Sequence, residues 1–254
     1  SSAFALYGLH EVFVSAGRAW TAITGERVAA PTFGVAILAA GAEPFRCGTG
    51  MPVVPDARFA EAGGYELVIV PDLALPTDAD PRGRWPEATA FLRRQYAAGA
   101  TICSVCSGAL ALADAGLLEG TDATTHWAYA ETIRRFFPSV RLSVERILVA
   151  GGEDRRILTA GGAAAWEDLA LLLVARFCGA EEASRIRRLF LFGDRTAGQA
   201  PFSATVPRRS GEDRAVAAAQ LWLADNYAVP GSVAGMVAAA RLPRRTFDRR
   251  FRAA

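Results

Sequence analysis

At 254 residues, 52% apolar and 21% charged, the chain has the composition of a soluble globular protein, long enough for one large domain or a standard domain plus a small one. Its net charge of +2 is too small to announce a nucleic-acid binder, and no apolar run reaches the roughly 18 residues of a membrane helix. The four cysteines, Cys47, Cys103, Cys106 and Cys178, make no disulfide framework in a chain this size, and Ser1-Ser2-Ala3-Phe4 has no basic signal head, so a reducing cytoplasm is expected.

Taken in order, 6–19 reads as a helix with Leu6, Leu9, Val12, Phe13 and Ala16 on one face, and 32–39 as a buried strand ended by Gly41. Leu67-Val68-Ile69-Val70 is a second strand, closed by Pro71. A helix over 86–98, stopped by Gly99, leads into a strand over 100–103. The chain then turns through Ser104-Val105-Cys106-Ser107-Gly108 into an Ala/Leu helix that Gly116 breaks. A short strand over 123–127 carries His126, and a helix follows to Phe137. Strands over 147–150 and 156–159 flank a Gly-Gly-Glu-Asp turn and read as a hairpin; a helix over 163–177 closes the unit. Short apolar strands alternating with amphipathic helices predict an α/β fold with a mainly parallel sheet covered on both faces, whose ligands bind beyond the carboxyl ends of strands.

Residues 196–212 are polar and marked by Pro and Gly, as a linker between domains over 1–195 and 213–254 would be. Three helices are predicted after it, over 214–227, 232–240 and 243–254. All 28 basic residues are Arg, which reads as coding bias. Their placement is more telling, because Arg241 to Arg252 holds six Arg against the single acid Asp248. Two short helices at a tight turn, the second carrying Arg244, Arg245, Arg249 and Arg250, suggest a helix-turn-helix.

Cys106 stands at a strand-to-helix corner, where the first free amides of a helix lower a thiol's pKa and can hold an anion. With Cys103 it makes a C-x-x-C, but Cys103 belongs to the strand, whereas a redox pair needs both thiols in the first helical turn. Zinc lacks a second ligand pair, so no metal and no cofactor is expected. Spacing leaves two readings open. Cys106 is a thiolate nucleophile with His126 as its base, or it is a small residue in a crowded turn with His126 satisfied by backbone.

Three blocks in order, Ser104-Val105-Cys106-Ser107-Gly108-Ala109, Ala115-Gly116-Leu117-Leu118-Glu119-Gly120 and Ala123-Thr124-Thr125-His126-Trp127, resemble the PfpI superfamily with its class I glutamine-amidotransferase-like fold. Thr159-Ala160-Gly161-Gly162 before Trp166-Glu167-Asp168-Leu169 is similar to the next block. Leu242-Pro243-Arg244-Arg245-Thr246-Phe247-Asp248-Arg249-Arg250-Phe251 resembles the recognition helix of an AraC-type domain, the arrangement of GlxA-type regulators. The resemblance implies a flavodoxin-like sheet sandwiched by helices, then the first half of an AraC-type domain. It also makes both ends of the chain read as cut, with a strand expected before Ser1 and a second helix-turn-helix after Ala254.

Two departures bear on chemistry. Aligning Gly8 and Glu11-Val12-Phe13 puts Ala5 where enzymes of the superfamily carry the acid that bonds the cysteine. The loop that lends oxyanion amides, Gly-rich in the family, here reads Pro71-Asp72-Leu73. The resemblance therefore implies a regulator with a degenerate enzyme domain, the alternative being a Cys106-dependent hydratase, glyoxalase or amidase-like enzyme. The partners implied are DNA, a small-molecule effector, a second copy of the chain, and no membrane. Cys106, Ser107, Gly108, His126 and Asp72 are the candidate effector residues, with the Ser107 and Gly108 amides suited to an anion. Arg244, Arg245, Thr246, Arg249 and Arg250 are candidates to contact DNA, and Phe247 and Phe251 to anchor the core.

Overall fold

The computed structural model describes residues 2–152, 154–193, 214–226 and 232–253. The chain divides into two compact units, Ser1–Ala200 and Pro201–Ala254; the stretch expected to be a linker lies outside the described residues.

The first unit begins with α1 (Ala3–Ser15), α2 (Ala19–Thr24), β1 (Leu38–Ala39), β2 (Phe45–Arg46), β3 (Pro52–Val53), β4 (Ala57–Arg58), β5 (Leu67–Val70) and α3 (Pro86–Ala97). It continues with β6 (Thr101–Val105), α4 (Ala109–Asp114), β7 (Asp122–Ala123), α5 (Ala130–Phe136), β8 (Arg141–Leu142), β9 (Leu148–Gly151), β10 (Ile157–Ala160), α6 (Trp166–Cys178) and α7 (Ala180–Phe190). The main sheet has the order β5-β6-β10-β9, in which β6 pairs parallel with β5 and β10, and β9 lies antiparallel to β10 as the expected hairpin.

Alternation along β6 sorts the core into two layers. Cys103 and Val105 point into one cluster with Leu9, Val12 and Phe13 of α1, Leu169 and Leu173 of α6 and Ile186 of α7. Ile102 points into the other with Leu92 of α3, Leu110 and Leu112 of α4 and Ile133 of α5. All five residues of β6 are buried. Each of these large apolar side chains contributes about 1.5–3 kcal/mol, so the sheet's central strand is the most firmly held element. Two glycines permit close layers: a Cβ on Gly8 would lie 2.6 Å from the Trp166 ring, and one on Gly151 2.4 Å from the Asp122 carbonyl.

Three expectations change. The run 32–39 is not a buried strand: only Leu38–Ala39 finds a ladder partner, in β4, while Thr32, Gly34 and Ala36 are exposed and the Ile37 N–H donates to the Asp56 carboxylate at 2.7 Å. Apolar content favours a strand, but a strand also needs a neighbour to accept its ladder. β6 runs to Val105, two residues beyond the predicted end. The strand expected over 123–127 stops at Ala123, leaving His126 outside it. Helix α7 is a further element, held where the buried Glu182 carboxylate accepts from the Gly17 N–H at 2.7 Å.

In the second unit, α8 (Arg214–Asn226), α9 (Ser232–Ala240) and α10 (Arg244–Ala253) surround a small core of Ala219, Met236, Ala240 and Phe247, flanked by Trp222, Leu242 and Phe251. The two Phe residues do anchor that core. Gly235 is dictated by packing, since a Cβ there would stand 2.0 Å from the Trp222 ring. Among the described residues, no helix is long and apolar enough to cross a membrane.

Candidate functional site

The corner is made by the end of β6. Val105 is still extended, and Cys106 then turns to φ +58°, the left-handed region that costs a non-glycine residue about 1–3 kcal/mol. The residues Cys106–Gly108 form a single 3-10 turn that feeds α4. Three contacts hold the strained turn. The buried Thr125 hydroxyl donates to the Cys106 carbonyl at 2.9 Å. The Val70 and Pro71 carbonyls pack so closely that a Cβ on Gly108 would lie 2.4 and 2.6 Å from them. Finally, Ser107 reaches across to the loop after β5.

That last contact decides what the corner can do. The Leu73 N–H donates to the Ser107 hydroxyl at 2.8 Å, and the hydroxyl donates to the Leu73 carbonyl at 2.8 Å. The loop that departs from the family's oxyanion pattern therefore gives its Leu73 amide to a side chain. The neighbouring Asp72 carboxylate is also engaged: one oxygen accepts from the Ser2 N–H and the other from the Ser2 hydroxyl, both at 2.8 Å. Ser2 is the N-cap of α1, so Asp72 fastens the loop to the first turn of that helix.

Cys106 itself is 8% exposed. Burial pushes its thiol above the ordinary value; the Ser107 N–H pulls it back in part, and the nearby Asp72 charge pushes it up further. The expected lowering by helix-start amides is thus overturned, because desolvation outweighs it and α4 has only six residues. The Asp72 carboxylate adds negative charge beside the corner. Complete burial pushes the Cys103 thiol up as well.

His126 is brought near the turn but in a different role from a strand residue. It caps the 3-10 turn Trp127–Tyr129, its Nδ1 accepting from the Ala128 N–H at 3.1 Å. Burial holds its pKa below the ordinary value, and with Nδ1 accepting, the proton of the neutral ring lies on Nε2. Among the described residues, no hydrogen bond or ion pair joins His126 to Cys106. Ala5 is fully buried in the apolar cluster that also holds Cys106.

Three residues of the site escape a motif search. Tyr129 is pushed above its ordinary pKa by burial and by the nearby Asp72 charge, and its hydroxyl donates to the Leu75 carbonyl at 2.7 Å. Thr125 fixes the turn, and Ser2 holds Asp72. A serine just before an apolar helix is a legible N-cap signal; the partner it selects is not. Among the described residues, no group of three His, Cys, Asp or Glu could hold a metal ion.

In the second unit, Arg244, Arg245 and Arg249 are exposed on α10, with Thr246 and Arg250 half-buried. Arg244 Nε lies 2.9 Å from both carboxylate oxygens of Asp248. Arg245 and Arg249 have no side-chain partner among the described residues.

A mainly parallel α/β sandwich with a strained cysteine after its central strand defines the class I glutamine-amidotransferase-like group of flavodoxin-like folds. Within it the chain belongs to the DJ-1/PfpI family, whose model matches residues 11–176. It is 32% identical over 143 residues to the HTH-type transcriptional regulator GbdR of Pseudomonas aeruginosa, covering 56% of this chain and 37% of that protein. It is 29% identical over 184 residues to the HTH-type transcriptional regulator GlxA of Rhizobium meliloti, covering 71% and 54%. It is 31% identical over 144 residues to isonitrile hydratase of Pseudomonas putida, covering 57% and 59%. The chain thus spans less than two thirds of the length of each of these relatives. The same fold occurs in a putative transcriptional regulator from Vibrio parahaemolyticus, with a TM-score of 0.60 at 18% identity, covering 74% of this chain and 92% of that one.

Proposed function

We propose that the chain is a DNA-binding transcriptional regulator whose DJ-1/PfpI domain senses a small molecule instead of transforming one. The observation that carries this reading is the arginine face of α10, raised on a three-helix core that buries Phe247 at 2% exposure. A second helix of such a unit enters the major groove, its first residues reaching base edges and its remaining cations the phosphates. Arg244, Arg245, Thr246, Arg249 and Arg250 are the residues assigned to DNA. On this reading the sensor domain is 1–195, the linker 196–212 and the reader 213–254, the first half of an AraC-type domain.

Cys106, Ser107, Gly108, His126 and Asp72 surround the effector. Its binding is coupled through the linker and a homodimer in the cytoplasm, changing the spacing of two DNA-reading units. The alternative, a cysteine enzyme of the isonitrile hydratase kind, draws on the strained Cys106 turn. Against it stand the raised thiol, the methyl of Ala5 and the Leu73 amide held by Ser107.

The test is an electrophoretic shift of the DNA upstream of the protein's own gene. The protein should retard that fragment at low salt and Arg245→Ala should weaken the complex, with affinity falling steeply as salt rises. Absence of any shift at low salt would refute the reading.

A further inference from the structure

The arginines of α10 are not equivalent. Arg245 and Arg249 are exposed and carry no partner among the described residues, whereas Arg244, in the first turn, has its Nε held 2.9 Å from both Asp248 oxygens one turn further on. The bond uses only Nε. Both terminal nitrogens of Arg244 are left without a partner among the described residues, and the side chain remains 60% exposed.

Two consequences follow from elementary chemistry. A guanidinium fixed through Nε has lost most of its rotamer freedom before it meets a ligand, and its terminal N–H groups project as an oriented fork. A carboxylate beside it cancels its charge and repels phosphate, so the pair is a poor clamp for the DNA backbone. The oriented fork suits the O6 and N7 acceptors of guanine, the commonest specific arginine contact in the major groove. The carboxylate can also accept from the N4 amino group of a neighbouring cytosine.

Resting on the DNA-binding reading above, we infer that Arg244 reads a guanine and that Asp248 is its positioning residue, while Arg245 and Arg249, charged and unpartnered, contact phosphates. The half-buried Asp248 is not part of the buried core around Phe247, so it can be changed without emptying that core.

The experiment selects bound sequences from a duplex library randomised over about ten base pairs, using the 254-residue chain, Arg244→Ala, Asp248→Asn and Arg249→Ala. The wild-type chain should enrich a guanine at one position, and replacing that guanine by 7-deazaguanine, which lacks N7, should weaken binding about tenfold. Arg244→Ala and Asp248→Asn should bind both duplexes within about twofold of each other, having lost the preference while still binding DNA. Arg249→Ala should keep the preference, weaken binding to all sequences alike and flatten the salt dependence by about one unit of slope.

A merely structural ion pair predicts a different pattern: Asp248→Asn then shifts affinity for all sequences equally and leaves the guanine preference intact, which would overturn the inference. Enrichment without guanine, or a preference that survives Arg244→Ala, overturns it as well, with the DNA-binding reading unharmed. Failure of every duplex to bind at about 50 mM salt overturns both.

Discussion

The Leu73 amide and the Ser107 hydroxyl satisfy each other: the N–H donates to Oγ at 2.8 Å and Oγ donates to the Leu73 carbonyl at 2.8 Å. This exchange joins the turn that carries Cys106 to the loop after β5, and it occupies the Leu73 amide that an oxyanion would need. Ser107 is 1% exposed, so no water replaces it when it is removed. Ser107→Ala should therefore destabilise the fold by about 1–3 kcal/mol, read as a lower midpoint in urea unfolding. A neutral effect would show that the loop is held by other contacts.

The left-handed Cys106 turn stores strain that only glycine avoids. Cys106→Gly and Cys106→Ala both lose the sulfur, but alanine keeps the strained Cβ. The glycine variant should be the more stable by about 1 kcal/mol, measured by the same unfolding curves. Equal stability would mean that the turn relaxes when the thiol is gone.

Burial and the Asp72 charge both raise the Cys106 thiol. Alkylation by iodoacetamide should then follow an inflection above the roughly 8.5 of a free cysteine, and Asp72→Asn should move it downward. Since the folded state holds this proton more tightly than the unfolded chain, its contribution to stability is full below that free value and is lost as pH rises through the folded one. An inflection below neutrality would contradict the geometry.

His126 has the opposite sign. Its folded pKa is lowered by burial, so as pH falls the unfolded chain takes up the proton first. The contribution is full above about 6.5 and is lost as pH falls toward the folded value. Protonation also removes the Nδ1 acceptor used by the Ala128 N–H. Between about pH 8 and 5, stability should fall more for the wild-type chain than for His126→Gln; parallel curves would place the imidazole in water.

Packing in the second unit is equally exposed to test. A Cβ at residue 235 would meet the Trp222 ring at 2.0 Å, so Gly235→Ala should cost about 1–3 kcal/mol and weaken DNA binding with it. A fully stable variant would show that the helices have room to separate.

Much of this was legible from residue order. The alternation of apolar strands and helices, the Cys106 corner, the hairpin over β9 and β10, and the core roles of Phe247 and Phe251 follow from periodicity and from short motifs. What residue order could not supply was pairing. Nothing in Thr32 to Ile37 says that no ladder partner will flank it, whereas a backbone partner for His126 was one of the two readings that spacing left open. Likewise, Asp72 is visible as an acid in the wrong place for the family, but its bonds to Ser2 join residues 70 positions apart. The sign of the Cys106 shift was misread for a related reason: amide dipoles are local and legible, whereas desolvation comes from the whole of the packed core.

The proposed regulatory role requires that the Cys106 corner bind and not catalyse. Its most direct test is turnover of an alkyl isonitrile and of methylglyoxal by the protein and by Cys106→Ala under identical conditions. The account predicts equal, background rates for the two proteins. A Cys106-dependent rate about a hundredfold or more above background, the scale of a working acid–base or nucleophilic group, would contradict it.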